Sequence, residues 1–383
     1  MSGTSADGVD AVLVELSGRC SRPNWRIEAA ASVPYPAELR DQLVQLGQGE
    51  PLCSGALLDL SEAVTEQQAL AARACDPKGT ALLVGCHGQT VWHRPPAAGR
   101  RGASLQLLQG PLLAALLQCP VVFDFRAADL ALGGQGAPLV PPADAALLGS
   151  SDGWRAVLNL GGIANVTLIP PATGPDRHAP LQGWDCGPAN SLIDLAVQRF
   201  SGGRQRCDMG GAWAASGKVD ETVLRHWLQE PYLQQAPPKS TGRELFGRHD
   251  LERRLVAMAD LSPADALATL TAFSAACVAQ DLAPRKPLEL LVSGGGACNT
   301  ALMGELRRRC LGTIVRPLSE LGIGPQQREA LAFAVLAWWH QRGHCGNAPS
   351  VTGAARPTRL GVCAQPGQSQ AGRSQPRQPQ PGR

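Results

Sequence analysis

The stretch RAVLNLGGIANVT, residues 155–167, has the pattern that decides the fold. Two apolar runs flank Gly161 and Gly162, which predicts two β-strands joined by a tight turn. Small residues at such a turn let backbone N–H groups approach the oxygens of a phosphate group. We therefore take Asn159, Gly161, Gly162 and Asn165 as candidate phosphate-binding residues. A hairpin with purely structural glycines is the alternative.

Predicted strands and helices alternate on both sides of this hairpin. Strand-length runs occupy residues 10–16, 81–84, 121–125, 155–160, 165–169 and 288–293. Helical spacing of apolar residues occupies 52–74, 105–118, 191–200, 262–283, 297–310 and 327–340. This alternation predicts an α/β protein with a mixed sheet in each half. Gly and Pro punctuation divides it into domains at 1–130 and 131–363, and residues 364–383 form a Gln/Pro-rich tail that we expect to be disordered.

Composition excludes several classes of protein. The 383 residues include 35 basic and 32 acidic side chains, and three of the arginines lie in the tail. The rest is therefore neutral, which argues against nucleic-acid binding. No apolar run is long enough to span a membrane, and the N-terminus lacks a signal-peptide pattern. The twelve cysteines include no Cys-x-x-Cys pair, so we expect reduced thiols in a cytoplasmic protein.

Two further turns rich in small residues are candidate nucleotide-binding loops. Residues 3–10 lead into a strand and comprise Gly3, Thr4, Ser5, Ala6, Asp7, Gly8, Val9 and Asp10. Asp7 could hold a hydrated Mg²⁺, because this ion keeps several waters and few carboxylates. The second turn, Gly294, Gly295 and Gly296, stands between a predicted strand and a helix. Either segment could instead be an ordinary turn.

The remaining candidates are polar residues at predicted turns and strand ends. Asp185 lies in the turn GWDCGPAN and could serve as a general base, although a lone Asp at a turn is more often structural. Polar groups at strand ends line ligand crevices in α/β proteins. Those found here are His87, Gln89, Thr90, Arg126, Asp129, Gln135, Gly136, Ala137 and Pro138.

In their order along the chain, these segments resemble the anhydro-N-acetylmuramic acid kinase family. The resemblance runs from residue 1 to about residue 361 and rests on MSGTSADGVDA, GCHGQTVWHRP, VVFDFRAADLALGGQGAPLVPPAD, LNLGGIANVT, GWDCGPANSLID, LVSGGGACN, REALAFAVLA and GNAPSVTGA. It implies a two-domain, actin-like ATPase (ribonuclease-H-like) fold with a nucleotide cleft between the domains. It also implies ATP and Mg²⁺ as cofactors and a homodimer.

The family's reaction assigns roles to the candidates. Water opens the internal acetal of 1,6-anhydro-N-acetylmuramic acid, and the freed O6 takes the γ-phosphoryl group of ATP, giving N-acetylmuramic acid 6-phosphate. The resemblance implies Asp185 as the base, residues 3–10 and 159–167 as phosphate loops, and residues 294–296 near the adenosine. The strand-end polar residues, with Glu329, would then contact the sugar.

This chain departs from the family pattern at its first residue. Relatives carry a strand of the type Ile-Gly-Leu before Met-Ser-Gly-Thr-Ser, whereas here the printed sequence starts at Met1. The strand that would pair with residues 10–16 is then largely missing, and we expect a less stable first loop and weaker ATP binding. Other readings are a different sugar kinase of the same superfold, an ATP-binding interaction module, or an inactive family member.

Overall fold

The computed structural model describes residues 1–3, 5–150, 152–237 and 239–367. The candidate Thr4 and residues 368–383 of the predicted tail lie outside the described residues. No helix in the described ranges is long and apolar enough to cross a membrane.

Strands and helices alternate along the chain, which confirms the α/β class. The strands are β1 (Gly8–Arg19), β2 (Arg22–Pro34), β3 (Val84–Gly85), β4 (Gln89–Arg94), β5 (Ala103–Leu107), β6 (Val121–Phe123), β7 (Arg155–Leu160), β8 (Ile163–Ile169), β9 (Gln182–Pro188), β10 (Glu289–Ser293), β11 (Ile314–Pro317) and β12 (Val362–Ala364).

The α-helices are α1 (Ala37–Gly47), α2 (Ser54–Cys75), α3 (Gly110–Leu117), α4 (Ala127–Ala131), α5 (Val140–Leu148), α6 (Ser191–Phe200), α7 (Ala212–Ser216), α8 (Glu221–Trp227), α9 (Arg248–Ala257), α10 (Pro263–Leu282), α11 (Thr300–Arg309), α12 (Gln327–Gln341) and α13 (Pro349–Thr352). Short 3₁₀ turns cover Pro175–His178, Met209–Gly211, Gly295–Cys298 and Leu318–Leu321.

The second half is built on a five-stranded mixed sheet. Its strand order is β11-β10-β7-β8-β9, with β7, β8 and β9 antiparallel and β10 and β11 parallel to β7. Residues alternate between two buried faces along β7: Leu158 and Leu160 pack with α10 and α11, while Val157 packs with Leu331 of α12. The predicted hairpin is therefore confirmed, with Gly161 and Gly162 at its tip.

The first half contains a three-stranded mixed sheet and two strand pairs. The sheet has the order β12-β6-β3, with β12 antiparallel and β3 parallel to β6. Ala364, expected to begin the disordered tail, instead ends strand β12, where it pairs with Val121 of β6. The pairs are β1 with β2 and β4 with β5.

An apolar cavity separates β1 from β3. Its volume is about 710 Å³, and residues 9–16 and 80–86 lie on its wall. Strand β1 pairs only with β2 and β3 pairs only with β6 among the described strands. Met1 exchanges two backbone hydrogen bonds of 2.8 Å with Asp10 at one end of the cavity. One edge of β1 is therefore unpaired among the described strands.

Several sequence predictions of secondary structure differ from the structure. Of the strand predicted at residues 81–84, only residue 84 lies in β3. Residues 105–118 were predicted as one helix, but they form the end of β5 and then α3. The segment around Asp185, interpreted as a turn, is strand β9. Strand β2 was not predicted: its residues include Pro23, Pro34 and a run of alanines, and it forms because β1 offers it a long antiparallel partner.

Candidate active site

The tip between β7 and β8 is anchored by backbone hydrogen bonds from residues 189–191. The carbonyl oxygen of Gly162 accepts hydrogen bonds from the N–H groups of Ala189 and Ser191, and that of Gly161 accepts one from Asn190. No group in the described ranges accepts a hydrogen bond from the N–H of Gly161 or Gly162. Free N–H groups on a fixed turn form a cradle for an anion.

A row of polar residues crosses the five-stranded sheet beside this tip. Ser293 pairs in register with Asn159, Asn159 with Asn165, and Asn165 with Asp185. Paired residues in neighbouring strands carry their side chains on the same face of a sheet. The four polar side chains therefore share one end of the face that packs against α12.

Asp185 is a half-buried carboxylate with one occupied oxygen. Its Oδ2 accepts hydrogen bonds from Ser240 Oγ at 2.9 Å and from the N–H of Thr241 at 3.0 Å. No donor in the part of the chain that the structure describes bonds to Oδ1. Burial, aided by the charge of Glu244, raises the pKa of Asp185 above its ordinary value, although the hydrogen bonds oppose the shift.

The glycines at 294–296 pack against the end of β7. Gly294 has a φ of +80°, and a Cβ there would lie 2.7 Å from Asn159 Oδ1. A Cβ on Gly296 would lie 2.6 Å from the Cβ of Leu160, whereas Gly295 has open space around it. Close packing thus explains why residues 294 and 296 are glycines. The turn lies beside Asn159, one of the phosphate-loop candidates.

The first small-residue loop is tied to Gln89 of β4. The side-chain amide of Gln89 donates to the carbonyl oxygen of Gly3 at 3.0 Å, and its oxygen accepts from Ser2. Ala6 is buried with a φ of +52°. Gly8 faces the β2 backbone so closely that a Cβ would lie 2.4 Å from the Val33 oxygen. The buried Gln89 amide therefore positions the loop.

Other side chains of this loop differ in exposure. Asp7 is exposed and forms an ion pair with Arg40 at 3.3 Å. Val9 is buried in the core under the loop, and Asp10 accepts a hydrogen bond from Ser32. Ser5 is exposed at the surface of the loop.

The buried His87 and the half-buried Arg126 form a polar pair. Arg126 Nε and Nη2 donate to His87 Nε2 at 3.1 and 2.9 Å, so the ring proton lies on Nδ1, which donates to Gly88. Burial and then the Arg126 charge lower the pKa of His87 well below its ordinary value. Burial lowers the pKa of Arg126 to about 10. His87 is therefore a neutral acceptor that orients a cation.

Arg126 also links His87 to the loop at residues 134–138. Its Nη1 donates to the Gly136 carbonyl oxygen at 2.6 Å. The N–H of Gln135 is bonded to Thr352, and Ala137 precedes Pro138 through a cis peptide bond.

Asp129 is a buried residue whose carboxylate holds this loop in place. It accepts from Gly136 N–H at 2.8 Å, Asn347 Nδ2 at 2.7 Å and Thr352 Oγ1 at 2.7 Å. These three donors fix the buried carboxylate, so we propose that Asp129 shapes the loop, and its direct contact with the sugar stays a prediction. The hydroxyl of Thr90 accepts from Gln106 at 3.3 Å.

The first turn of α12 lies between the polar row that contains Ser293 and the group around Arg126. Arg328 is buried, forms a two-point ion pair with Asp144, and reaches Ser293 Oγ at 3.5 Å. The neighbouring Glu329 is close enough for its charge to raise the pKa of Arg126 against the effect of burial. Sequence reasoning missed residues 239–244, which hold Asp185. Only the dense polar sequence KSTGRE marked that segment.

A mixed α/β fold with two small-residue turns and a hydrogen-bonded carboxylate beside one of them has the layout of a sugar phosphotransferase. A family model described as anhydro-N-acetylmuramic acid kinase matches residues 1–366. The chain belongs to the anhydro-N-acetylmuramic acid kinase family.

Relatives with that name align along nearly their whole length. One from Synechococcus sp. (strain CC9902) is 62% identical over 374 residues, which is 96% of this chain and 98% of the relative. One from Prochlorococcus marinus (strain MIT 9303) is 60% identical over 372 residues, with the same shares.

Solved structures give a weaker likeness. A ROK family glucokinase from Streptomyces griseus, in complex with glucose and AMPPNP, has a TM-score of 0.35 and 15% identity over 86% of this chain and 99% of that one. The Acidaminococcus fermentans (R)-2-hydroxyglutaryl-CoA dehydratase component A has a TM-score of 0.38 and 12% identity, covering 86% and 98%. Likeness at this level says nothing about the site of this chain.

Proposed function

We propose that this chain hydrolyses the 1,6-anhydro ring of 1,6-anhydro-N-acetylmuramic acid and phosphorylates O6 with ATP, yielding N-acetylmuramic acid 6-phosphate and ADP. Asp185 carries the proposal. Its Oδ2 is fixed by Ser240 and Thr241, and its Oδ1 is left to a substrate molecule, on the strand beside the Gly161–Gly162 tip.

Asp185 has the chemistry of a general base for water. Attack on an anomeric carbon requires a carboxylate that accepts the proton of the water, as in inverting glycosidases. A raised pKa makes the carboxylate a better proton acceptor. The departing O6 needs no acid, because it forms its new bond to phosphorus.

The nucleotide is assigned to the three small-residue turns. Residues 3–10 and the Gly161–Gly162 tip contact the phosphates through backbone N–H groups, and the turn at 294–296 approaches the adenosine. Phosphoryl transfer depends on positioning and on charge neutralisation more than on covalent chemistry. This fits the Gly161–Gly162 tip, whose N–H groups have no acceptor in the described ranges, and Gly295, which has open space around it.

The loop at residues 3–10 also fits a magnesium ion that is bound mainly through phosphate oxygens and water. Asp7 is an exposed carboxylate whose Oδ2 receives no hydrogen bond from the described residues, so one protein oxygen is on offer. Mg²⁺ commonly binds with one or two carboxylates, waters and phosphate oxygens. When bound, it would neutralise phosphate charge, while Arg40 holds the Asp7 side chain.

The sugar is assigned to the group around Arg126. A guanidinium oriented by His87 and Gly136 suits the lactyl carboxylate of the substrate. Thr90, Gln135, Ala137, Pro138 and Glu329 remain candidate neighbours of that ligand. The resemblance also leads us to expect a cytoplasmic homodimer, which mass photometry and fractionation would test.

An isotope experiment tests the proposal. Protein is incubated with ATP, Mg²⁺ and the anhydro sugar in ¹⁸O-labelled water, and the product is analysed by mass spectrometry. We expect sugar phosphate with one ¹⁸O at C1, and a loss of about 10³-fold in rate for Asp185→Asn, which keeps the shape but removes the base.

Ser240→Ala provides the matched control. It removes one hydrogen bond to Oδ2 but keeps the base, so we expect a loss of about tenfold or less. Labelled product from Asp185→Asn at the wild-type rate would remove Asp185 from its role and keep the kinase. Absence of sugar phosphate from the wild-type protein would contradict the proposed function.

A further inference from the structure

Arg243 lies on a segment that is anchored around the proposed base. Within residues 239–244, the Lys239 carbonyl oxygen accepts from the N–H of Asp185 at 3.0 Å. Lys239 itself is buried in an ion pair with Asp281 at 2.8 Å. On the other side, Gly242 accepts from the N–H of the buried Phe246 at 3.0 Å. The backbone of Arg243 is therefore fixed relative to Asp185.

The guanidinium group of Arg243 lies against the Gly161–Gly162 tip. Its Nε and Nη2 atoms are each 3.9 Å from the position that a Cβ on Gly162 would take. The absence of a side chain on Gly162 thus leaves Arg243 in contact with the turn whose N–H groups are free. The Arg243 guanidinium and the tip thus lie close together.

Arg243 also lacks a carboxylate partner in the described ranges. Arg243 is exposed, as is Arg248, which also lacks such a partner among the described residues. By contrast, the buried Arg254 pairs with Asp250 and Glu230. Arg243 lies near Asp194, since its charge lowers the pKa of that carboxyl, but no ion pair forms. An unpaired guanidinium beside free N–H groups is suited to a tetrahedral anion with several oxygens.

We propose that Arg243 binds the phosphoryl group in transfer from ATP to the sugar. The inference rests on the proposed function and adds a residue to it. Asp185 accepts a proton from water as the water oxygen bonds to C1 and the C1–O6 bond breaks. O6 bonds to the γ-phosphorus, and the bond between that phosphorus and the bridging oxygen breaks, with its electron pair leaving on ADP. Arg243 donates hydrogen bonds to the equatorial oxygens and keeps its protons.

The test compares Arg243→Ala and Arg243→Lys with Arg248→Ala, an exposed arginine nearby that has no role in the site. We expect Arg243→Ala to lose about 10²–10³-fold in kcat, with the KM for the sugar and the melting temperature unchanged. Added guanidinium chloride at millimolar concentration should restore part of the activity. Arg243→Lys should remain well below wild type, because one ammonium replaces a planar fork of donors.

Calorimetric titration with a non-hydrolysable ATP analogue tests the role of Arg243 separately from the proposed reaction. Arg243→Ala should weaken binding of the analogue about tenfold, a result that needs no sugar turnover. Analogue binding and kcat both equal to wild type would overturn the role of Arg243. A raised KM for the sugar with kcat unchanged would also overturn it, since that would place Arg243 on the sugar. If the wild type binds the analogue through Arg243 but makes no sugar phosphate, only the proposed function fails.

Discussion

At the scale of single residues, Asp185 leads to a prediction about pH. Burial and the charge of Glu244 raise its pKa above the ordinary value of about 3.9. A base works in its deprotonated form, so activity is lost as pH falls through this raised pKa. We therefore expect the acid limb of kcat/KM to have its midpoint above 3.9, measured as a pH–rate profile of the wild-type protein.

Two variants test whether Asp185 is the group whose titration produces the acid limb of kcat/KM. Glu244→Gln removes a negative charge near Asp185, so the midpoint should move to lower pH. Asp194 is the competing group, since burial, helped by Asp208, raises its pKa to about 6 despite the Arg243 charge. Asp194→Asn should leave the limb in place, and its disappearance in that variant would transfer the assignment to Asp194.

The ion pair between Arg328 and Asp144 yields a stability prediction. Both side chains are buried, so Arg328→Met leaves an unpaired carboxylate in the core. We expect a loss of about 3–5 kcal/mol in the free energy of unfolding, measured by urea denaturation. The double variant Arg328→Met with Asp144→Asn should recover much of the loss. A double variant as unstable as the sum of the two single variants would show that the pair is not coupled.

The candidate sugar-site residues show how much of the site could be predicted from the sequence. The density of polar residues near strand ends correctly indicated where groups such as His87, Arg126 and Gly136 would meet. It could not tell a side chain facing a ligand from one facing the protein. Gln89 bonds to the backbone of Gly3, and Asp129 bonds to the side chain of Asn347. Both partners lie far away in the sequence, and such partners leave no local pattern.

At the scale of elements, the cavity of about 710 Å³ between β1 and β3 lies along an edge of β1 that pairs with no described strand. Met1 already forms an antiparallel pair with Asp10, so residues joined ahead of it would run along the free edge of β1. An extension of six residues with alternating apolar side chains should fill the cavity and stabilise the protein by about 2–4 kcal/mol. It should also lower the Kd for ATP, because the first loop gains a second anchor.

An extension of six Gly and Ser residues is the matched control. It adds the same length of chain but buries no apolar side chain, so its melting temperature should stay at that of the original protein. Equal melting temperatures for both extensions, measured by calorimetry, would show that the cavity does not accept a strand.

Elements with a strong local signal could be predicted, and elements formed through pairing could not. β7, with its unbroken apolar run, and α10, with Ser262 as its cap, were confirmed. β9 contains Gly and Pro and becomes a strand because β8 offers it a partner. The short apolar run at β5 fits a helix or a strand by spacing alone, and its pairing with β4 decides between them.

At the scale of the whole molecule, the two phosphate-loop candidates belong to different sheets. The first loop leads into β1 and is held by Gln89, whereas the second is the tip between β7 and β8. Local sequence patterns identify each loop but carry no information on the distance between them. The family resemblance alone suggested that both bind one nucleotide, and this remains a proposal about the arrangement of the halves.

Glycine variants test whether one nucleotide joins the two loops. A Cβ on Gly3 would come no closer than 3.8 Å to a neighbouring atom, and one on Gly161 no closer than 3.7 Å. Both alanine variants should therefore fold like the wild type, while the added methyl group hinders phosphate approach to the backbone. We expect each to weaken binding of a non-hydrolysable ATP analogue about tenfold and to reduce the rise in melting temperature that the analogue causes. Gly55→Ala, also in open space but on α2, should bind normally. A loss confined to Gly161→Ala would mean that the first loop does not contact the nucleotide, and the two-sided clamp would then have to be abandoned.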